Sequence, residues 1–493
     1  MPVTIDLTQY VANADGSKSS LYPAGDKPAP SDPTVPPIPN DAIWVATDGN
    51  DTTGDGSNGN PYLTISHATS QMTTGQTVVV KDGVYNDRPN WINDYLHTIP
   101  SGTSQAPTVI RAENMFGVEL RGDGGLLYPD QQIRLDGDYV DVFGFFCNML
   151  NDATPPTQVA INGNFNRVMK CIARREGQQD TYGGWFRFGG NATYNLVEDC
   201  AGVGACRYGF GAGGTSGAGH HNIYRRCVGR FDYTESNQPK ATFNHYGANG
   251  GYTSHHHVFQ NCISLDGNEV DYHTGSSGFK YGGLTSIKTA SDDLYQGCLV
   301  LNEEVDISAI WLDGRNHTLR DIIVWDIRDM PTYGQITPDG VWDRSSMEPI
   351  TEASNFTIGQ VAGTDIGGDS GNLSPTNSNL SPVGLQHLPQ RNNGVTLGAE
   401  MLKKVGVSGT RYGETGWDQV TDDDLWPWPY EDKIKEIFSM PNPVPANYSP
   451  VTNDTLRGFC TAGNDAWGQP ITLTRYVWQY LGNQIPASIY GGA

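Results

Sequence analysis

The chain has 493 residues, is rich in glycine (60) and proline (30), and is only 17% charged. That excludes a helical bundle and reads as many short strands joined by turns. Its formal net charge of −23 argues against nucleic acid or an anionic membrane as the main partner, and with no apolar run of about 18 residues no membrane insertion is expected.

The opening "MPVTIDLTQYVANADGS" has neither a basic start nor an apolar stretch, so no signal peptide is read in it. A mature extracellular protein, an intracellular protein and a virion protein released by lysis all fit. Residues 1–40 form an arm that ends in a Pro-rich linker. Next come a strand, a Gly/Asn/Asp loop, a short helix near Thr64 to Met72 and a strand at Thr77 to Lys81. Thr64, Ile65, Ala68, Gly75, Val78, Val80, Gly83 and Tyr85 make a pattern that resembles the N-terminal entry of right-handed parallel β-helix proteins. In those proteins a capping helix closes the first coil.

The body repeats with an irregular period. "VDVFGF", "NRVMKC", "NLVEDC", "NIYRRC", "HVFQNC", "DLYQGC" and "HTLRDI" align without gaps. Their sixth position holds Phe145, Cys171, Cys200, Cys227, Cys262, Cys298 and Ile322. Stacked coils would make this slot an inward ladder of small apolar groups. A metal site or disulfides fit the spacing poorly. The fold expected is all-β: a right-handed parallel β-helix over residues 41–330, with an N-terminal capping helix. Residues 331–493 form a loop-rich, partly helical cap, with helices expected in "PYEDKIKEIFSM" and "TLTRYVWQYLGN". The tail resembles one found on many microbial β-helix proteins.

A second strand recurs in each coil as "IRLDG", "VAING", "WFRFGG", "CRYG", "NHYG", "FKYGG" and "IWLDG". Aligned on the motif basic–aromatic–glycine, Arg187, Arg207, His245 and Lys280 fall in one slot, flanked by Arg134, Ala160 and Trp311. Such a column of like charges calls for a compensating partner. A polysaccharide bearing uronate groups would supply one. Insertions concentrate in the central coils, where they would wall a groove. A neighbouring cation lowers a lysine pKa and prepares it as a general base. Lys280 is the candidate base for β-elimination, with Arg207 and His245 stabilising charge and Arg187, Trp311 and Tyr281 binding substrate. The competing reading makes Lys280 one solvated residue on a strand face.

"GFKYGG" resembles the "GFKLGG" segment of family-nine pectate lyases. The resemblance implies a catalytic lysine beside a calcium cluster. The chain departs from that family one coil upstream, where "TESNQPKATFNHYGANGG" has Glu235 but no aspartate cluster. Asp266, Glu269 and Asp271 are nearer candidates for calcium. His220, His255 and His273 are a weaker metal candidate.

Two classes of function follow. One is a polysaccharide lyase, monomeric and extracellular, acting on an acidic glycan. The other is a virion tailspike or receptor-binding protein that recognises a cell-surface glycan and is trimeric, or a non-catalytic adhesin.

Overall fold

The repeated segments stack as parallel strands. The computed structural model describes residues 35–86, 88–122, 131–150, 157–175, 183–204, 206–214, 217–231, 241–247, 252–267, 282–304, 310–312, 315–328, 341–343, 350–361, 404–421, 425–440, 458–464 and 471–480. One face is a nine-stranded sheet that includes Ile133–Leu135, Val159–Ile161, Phe186–Phe188, Tyr208–Gly213, Ala241–Tyr246, Gly282–Ile287 and Ile310–Leu312. A nineteen-stranded sheet covers the other two faces in two columns. One column passes through Arg167–Met169 and Leu196–Glu198, the other through Ile172–Arg175 and Ala201–Gly204. His317–Arg328 pairs with strands of both. The molecule is a parallel β-helix, as the repeat predicts.

Residues Ile65–Gln71 form the helix on the first coil. Thr64 caps it by accepting a hydrogen bond from His67 N at 3.1 Å, and Ile65 and Ala68 are fully buried against the first strands. The cap satisfies a backbone donor that the first helical turn would otherwise leave open.

The cysteine slot lies at the bend between the two columns. The residue before it is left-handed in six coils: Gly144, Lys170, Asp199, Arg226, Asn261 and Gly297. Cys171, Cys200, Cys227, Cys262 and Cys298 are fully buried beneath that bend. Cys171 N donates to Cys200 Sγ at 3.4 Å, and Cys227 Sγ donates to Val197 O at 3.6 Å. All eight cysteines are free thiols. Burial pushes the Cys200 and Cys262 thiols well up, which keeps them neutral and unreactive.

One core residue depends on glycines around it. Trp185 is fully buried. A Cβ on Gly202 or Gly209 would stand 2.2 or 2.4 Å from its ring, and one on Gly229 would stand 2.9 Å away. Three coil segments thus leave out a side chain where one indole fills the core.

The C-terminal segments pack along the flank of the coils. Helices Glu431–Phe438 and Leu473–Tyr480 form where the sequence predicts them. With Trp426, Trp428 and Phe459 they cover Ile172, Ala201, Val228, Ile263, Leu299 and Ile323. Residues 404–421 lie over the other column. There Arg225 donates to Val407 O and Thr410 O at 3.0 Å each, and to Trp417 O at 3.1 Å. Beneath it a buried ion cluster joins Lys170 and Arg226 to Asp199 at 2.6 Å each. Burial works against the Asp199 carboxylate, but Arg226 and Lys170 outweigh it and lower its pKa.

Gly202→Ala should cost about 1–3 kcal/mol by overpacking Trp185, read as a lower denaturant midpoint with unchanged slope. Glu431 gives a second test. Burial raises its pKa to about 7, although it accepts a bond from Thr474 N at 2.8 Å. The unfolded carboxyl ionises near its ordinary value of 4.5, so this group's contribution to stability declines as pH rises from there to about 7. Glu431→Gln should match wild type below pH 4.5 and exceed it by about 1–3 kcal/mol above pH 7. Equal stability of the two at high pH would contradict the assignment.

Candidate functional site

The register of the nine-stranded sheet is set from inside the coil. Phe186, Phe210 and Phe243 lie opposite one another, with stacked rings 5.0 and 4.8 Å apart, and Leu284 and Ile310 continue the row. All five are fully buried. The next position on successive strands is therefore Arg134, Ala160, Arg187, Gly211, Asn244, Thr285 and Trp311.

This corrects the expected basic column. Arg134, Ala160, Arg187 and Trp311 do share a slot, but Arg207 and His245 do not. Arg207 precedes Gly211 by four residues. His245 follows Asn244 by one, and one step along a strand reverses the face. The basic–aromatic–glycine alignment would put Gly282 beside Gly247, whereas Gly282 pairs with Ala241. The buried phenylalanine row overrode the resemblance among the exposed triplets. Lys280 and Tyr281 lie outside the described residues, as do Glu269, Asp271 and His273.

His245 is fully buried inside the coil. Its Nδ1 is 2.7 Å from Asp293 Oδ2 and its Nε2 is 2.8 Å from Ser254 Oγ. Ser286 Oγ donates to the same Asp293 oxygen at 2.6 Å, and His257 N donates to Oδ1 at 3.0 Å. Burial opposes ionisation of Asp293, but His245 and its other partners hold the carboxyl below the usual range. Burial also lowers the His257 pKa far enough to keep that ring neutral. His245 thus ties the site strand to the coil beneath it, and does not face the outer surface.

A cavity of about 450 Å³ opens on the nine-stranded sheet. Arg187, Arg207, Tyr208, Asn244 and Tyr246 line it, over a floor of Gly211, Ala212, Gly213 and Gly214. Among the described residues no carboxylate is in its wall, although the chain carries a net charge of −23. Arg187 is exposed, and its only bond to a described residue runs from Nη2 to Gly213 O at 3.3 Å. The Tyr208 and Tyr246 rings are 6.1 Å apart, and Lys288 Nζ lies 4.4 Å from the Tyr246 ring centre.

Asn244 is the unusual member. It is fully buried, and its Oδ1 accepts from Thr285 Oγ1 at 2.7 Å. Its Nδ2 has no hydrogen-bond partner among the described residues. A buried amide donor left open costs about 1–3 kcal/mol, and this one stands in a cavity wall. The arrangement can hold an anionic, oxygen-rich ligand: the arginines and the amide donate, and the tyrosine rings offer flat apolar faces.

The remaining candidates lie elsewhere. Trp311 is on the column but only 5% exposed. Asp266 is buried under the C-terminal segment and accepts from Phe459 N and Tyr476 Oη at 2.7 Å each, and from Asn302 Nδ2. Those donors fill its carboxylate, so it does not present a calcium ligand, and no step is derived through calcium. His220 and His255 stack at 5.0 Å on an outer turn. Among the described residues no group of three or more His, Cys, Asp or Glu forms a metal cage.

Sequence reasoning missed Tyr208, Gly211, Asn244 and Tyr246. Aligning the coils on Phe186, Phe210 and Phe243 instead of on the glycines would have found them.

The chain is a parallel β-helix protein with a cation-lined cavity on one sheet. Residues 61–212 match the model of the chondroitinase B family, a span that contains Arg187, Arg207, Tyr208 and Gly211. Similar solved structures include the pectate lyase Pel9A, at a TM-score of 0.42 and 15% identity over 66% of this chain and 81% of that one. An alginate lyase from Paenibacillus sp. str. FPU-7 is similar at a TM-score of 0.42 and 12% identity, over 61% of this chain and 96% of that one. A GH136 lacto-N-biosidase from Eubacterium ramulus is similar at a TM-score of 0.39 and 10% identity, over 63% and 67%. No curated protein matches the chain in sequence.

Gly211 allows a test of the cavity that spares the fold. A Cβ there would meet nothing nearer than 3.7 Å, so Gly211→Ala should leave the melting temperature at or slightly above wild type. It should nevertheless lower the affinity of whatever ligand the cavity takes. A variant that melts early instead would show that the glycine serves the fold.

Proposed function

We propose that this chain is a polysaccharide lyase that binds an acidic, uronate-bearing glycan on the nine-stranded sheet and cleaves it by β-elimination. The observation that carries the reading is the open amide of Asn244 in a cavity whose described lining has two arginines and no carboxylate. An unpaired donor beside cations favours a ligand that brings both negative charge and acceptors. The match of residues 61–212 to a family named for chondroitinase B supports the same class.

In this reading the uronate carboxylate pairs with Arg187, with Arg207 close by in the same wall. Pairing stabilises the negative charge that develops when the proton alpha to the carboxyl group is removed. The base takes that proton, a carbon–carbon double bond forms in the uronate, and the bond to the glycosidic oxygen breaks, that oxygen leaving as a hydroxyl with a proton from water. The base assigned is Lys280. It precedes by two residues Gly282, which is in register with Tyr208 through Ala241. Such a reaction puts the protein's work at an extracellular glycan.

The test is ultraviolet absorbance of the unsaturated product across a panel of acidic polysaccharides. Wild type should generate it. Lys280→Ala should abolish turnover while keeping affinity, and Arg187→Ala should weaken binding about 10- to 100-fold. Binding without absorbance on any substrate would make this a non-catalytic glycan-binding protein. Failure to bind any acidic glycan would sink the reading altogether.

A further inference from the structure

The outer turn that leaves the nine-stranded sheet carries a ladder of rings. Tyr139, Phe165, Tyr194, His221 and His256 each take the left-handed conformation there. Their rings stack in that order at 4.8, 5.2, 5.2 and 4.8 Å. Beside the last two rungs stand His220 and His255, stacked at 5.0 Å and bridged in register. Within each coil the neighbouring histidines touch. His221 Nδ1 lies 2.8 Å from His220 Nδ1, and His255 Nδ1 lies 2.7 Å from His256 Nδ1. Such a contact is a hydrogen bond only while one of its two nitrogens is bare. A pair that carries a proton on both nitrogens loses it and gains a repulsion.

The C-terminal segment 404–421 rests on this ladder. Tyr412 packs edge-on against His221 at 4.3 Å and is backed by Trp417 at 4.0 Å. Both rings also lie on Leu196, Ile223, Val258 and Leu294. Nearby, Arg411 Nε donates to Phe165 O at 2.8 Å, and its guanidinium stands 5.8 Å from the Tyr139 ring centre. The segment's charged groups are already engaged or distant from the histidines. Arg411 pairs with Asp141 at 3.5 Å and with Glu414 at 3.2 Å, and Asp418 acts on Tyr412. Glu198 adds an anchor by accepting from Gly409 N at 2.8 Å. On the coils, Asp292 and Asp293 favour the charged form of His255, while the groups that act on His221 are His256, His220 and His255, all of which oppose its charge.

We propose that the histidine turn is an acid-sensitive latch for residues 404–421: protons taken up by the turn release that segment from the coils, which themselves stay folded. The latch stands whether or not the cavity binds a glycan. Tyr412 covers a ring that cannot be charged at little cost. Burial, then His256, His220 and His255, push the His221 pKa down to about 4 from its ordinary 6.5. Burial and His256 also lower His220, and burial with His256 and His220 lowers His255. Release returns the His221 ring to water, so the released turn takes up its proton near 6.5 and the docked turn only near 4. Docking is therefore fully supported above pH 6.5 and loses support as pH falls toward 4.

Amide hydrogen exchange of the full chain, read by mass spectrometry and corrected for the intrinsic effect of pH, tests the latch. Wild type should lose protection over residues 404–421 about 10-fold between about pH 7.5 and pH 5, a figure that allows for solvent screening at a half-buried ring. Strand Phe186–Phe188 should keep its protection at both values. His221→Phe keeps a ring in a slot that Phe165 already fills in the same left-handed conformation, and it removes the titrating group. Its segment should be equally protected at both values. Tyr412→Ala should loosen the segment at both. Unchanged protection of wild type in acid would overturn the latch, and so would joint loss over Phe186–Phe188, which is unfolding of the coils. If His221→Phe opens in acid as wild type does, the carboxylates Asp141 and Glu198 are the sensitive groups and the histidine latch is wrong.

Discussion

The structure turns on the row of buried apolar side chains inside the nine-stranded sheet. Phe186, Phe210, Phe243, Leu284 and Ile310 stack because each buried ring or branched chain contributes about 1.5–3 kcal/mol when removed from water. That gain sets the strand register, and register decides which side of the sheet each neighbour takes. A shift of one residue on strand Ala241–Tyr246 would turn His245 outward and turn Asn244 and Tyr246 toward the interior of the coil. The site is thus a by-product of packing: the outer slot holds whatever the sequence puts beside an inward phenylalanine.

The C-terminal segments cover both columns of the nineteen-stranded sheet, with apolar contacts on one and with hydrogen bonds from Arg225 and Gln260 on the other. The cavity opens on the nine-stranded sheet, and no described C-terminal residue lines it. Its back wall is stiffened from within. Thr285 fixes the Asn244 amide, and Asp293 gathers His245, Ser286 and His257 beneath the same strand. A donor held by so many partners loses little further freedom when a ligand arrives, which is how preorganisation favours binding.

The fold was legible because coil stacking writes one slot many times over. Cys171, Cys200, Cys227, Cys262 and Cys298 repeat one residue type in one slot, and all five are fully buried. Helix Ile65–Gln71 and the two C-terminal helices were legible from apolar spacing for the same reason. The site was legible only in part. Arg187 and Arg207, two of the residues the sequence points to, both line the cavity. Their supposed partner His245 was placed on the wrong face because Tyr208-Gly209 and Tyr246-Gly247 look alike in sequence. In space Tyr246 stands opposite Gly213, and Tyr208 opposite Ala241. Strands Tyr208–Gly213 and Ala241–Tyr246 are longer than Phe186–Phe188, so a triplet fits them in more than one register. Only the inward row removes the ambiguity.

A cation-lined cavity on a chain of net charge −23 has a physical consequence for what it can recognise. At physiological ionic strength the Debye length is about 8 Å, so the acidic surface gives an approaching polyanion no long-range steering toward the site. Attraction must come from contacts made inside that distance, by donors whose geometry is already fixed. Arg187 is held by Gly213 O and Asn244 by Thr285, and each offers an unpaired donor at the end of that tether. Selection on such a surface rests on whether a ligand's acceptors match the positions of those donors, and coil stacking spaces the donors by whole strands.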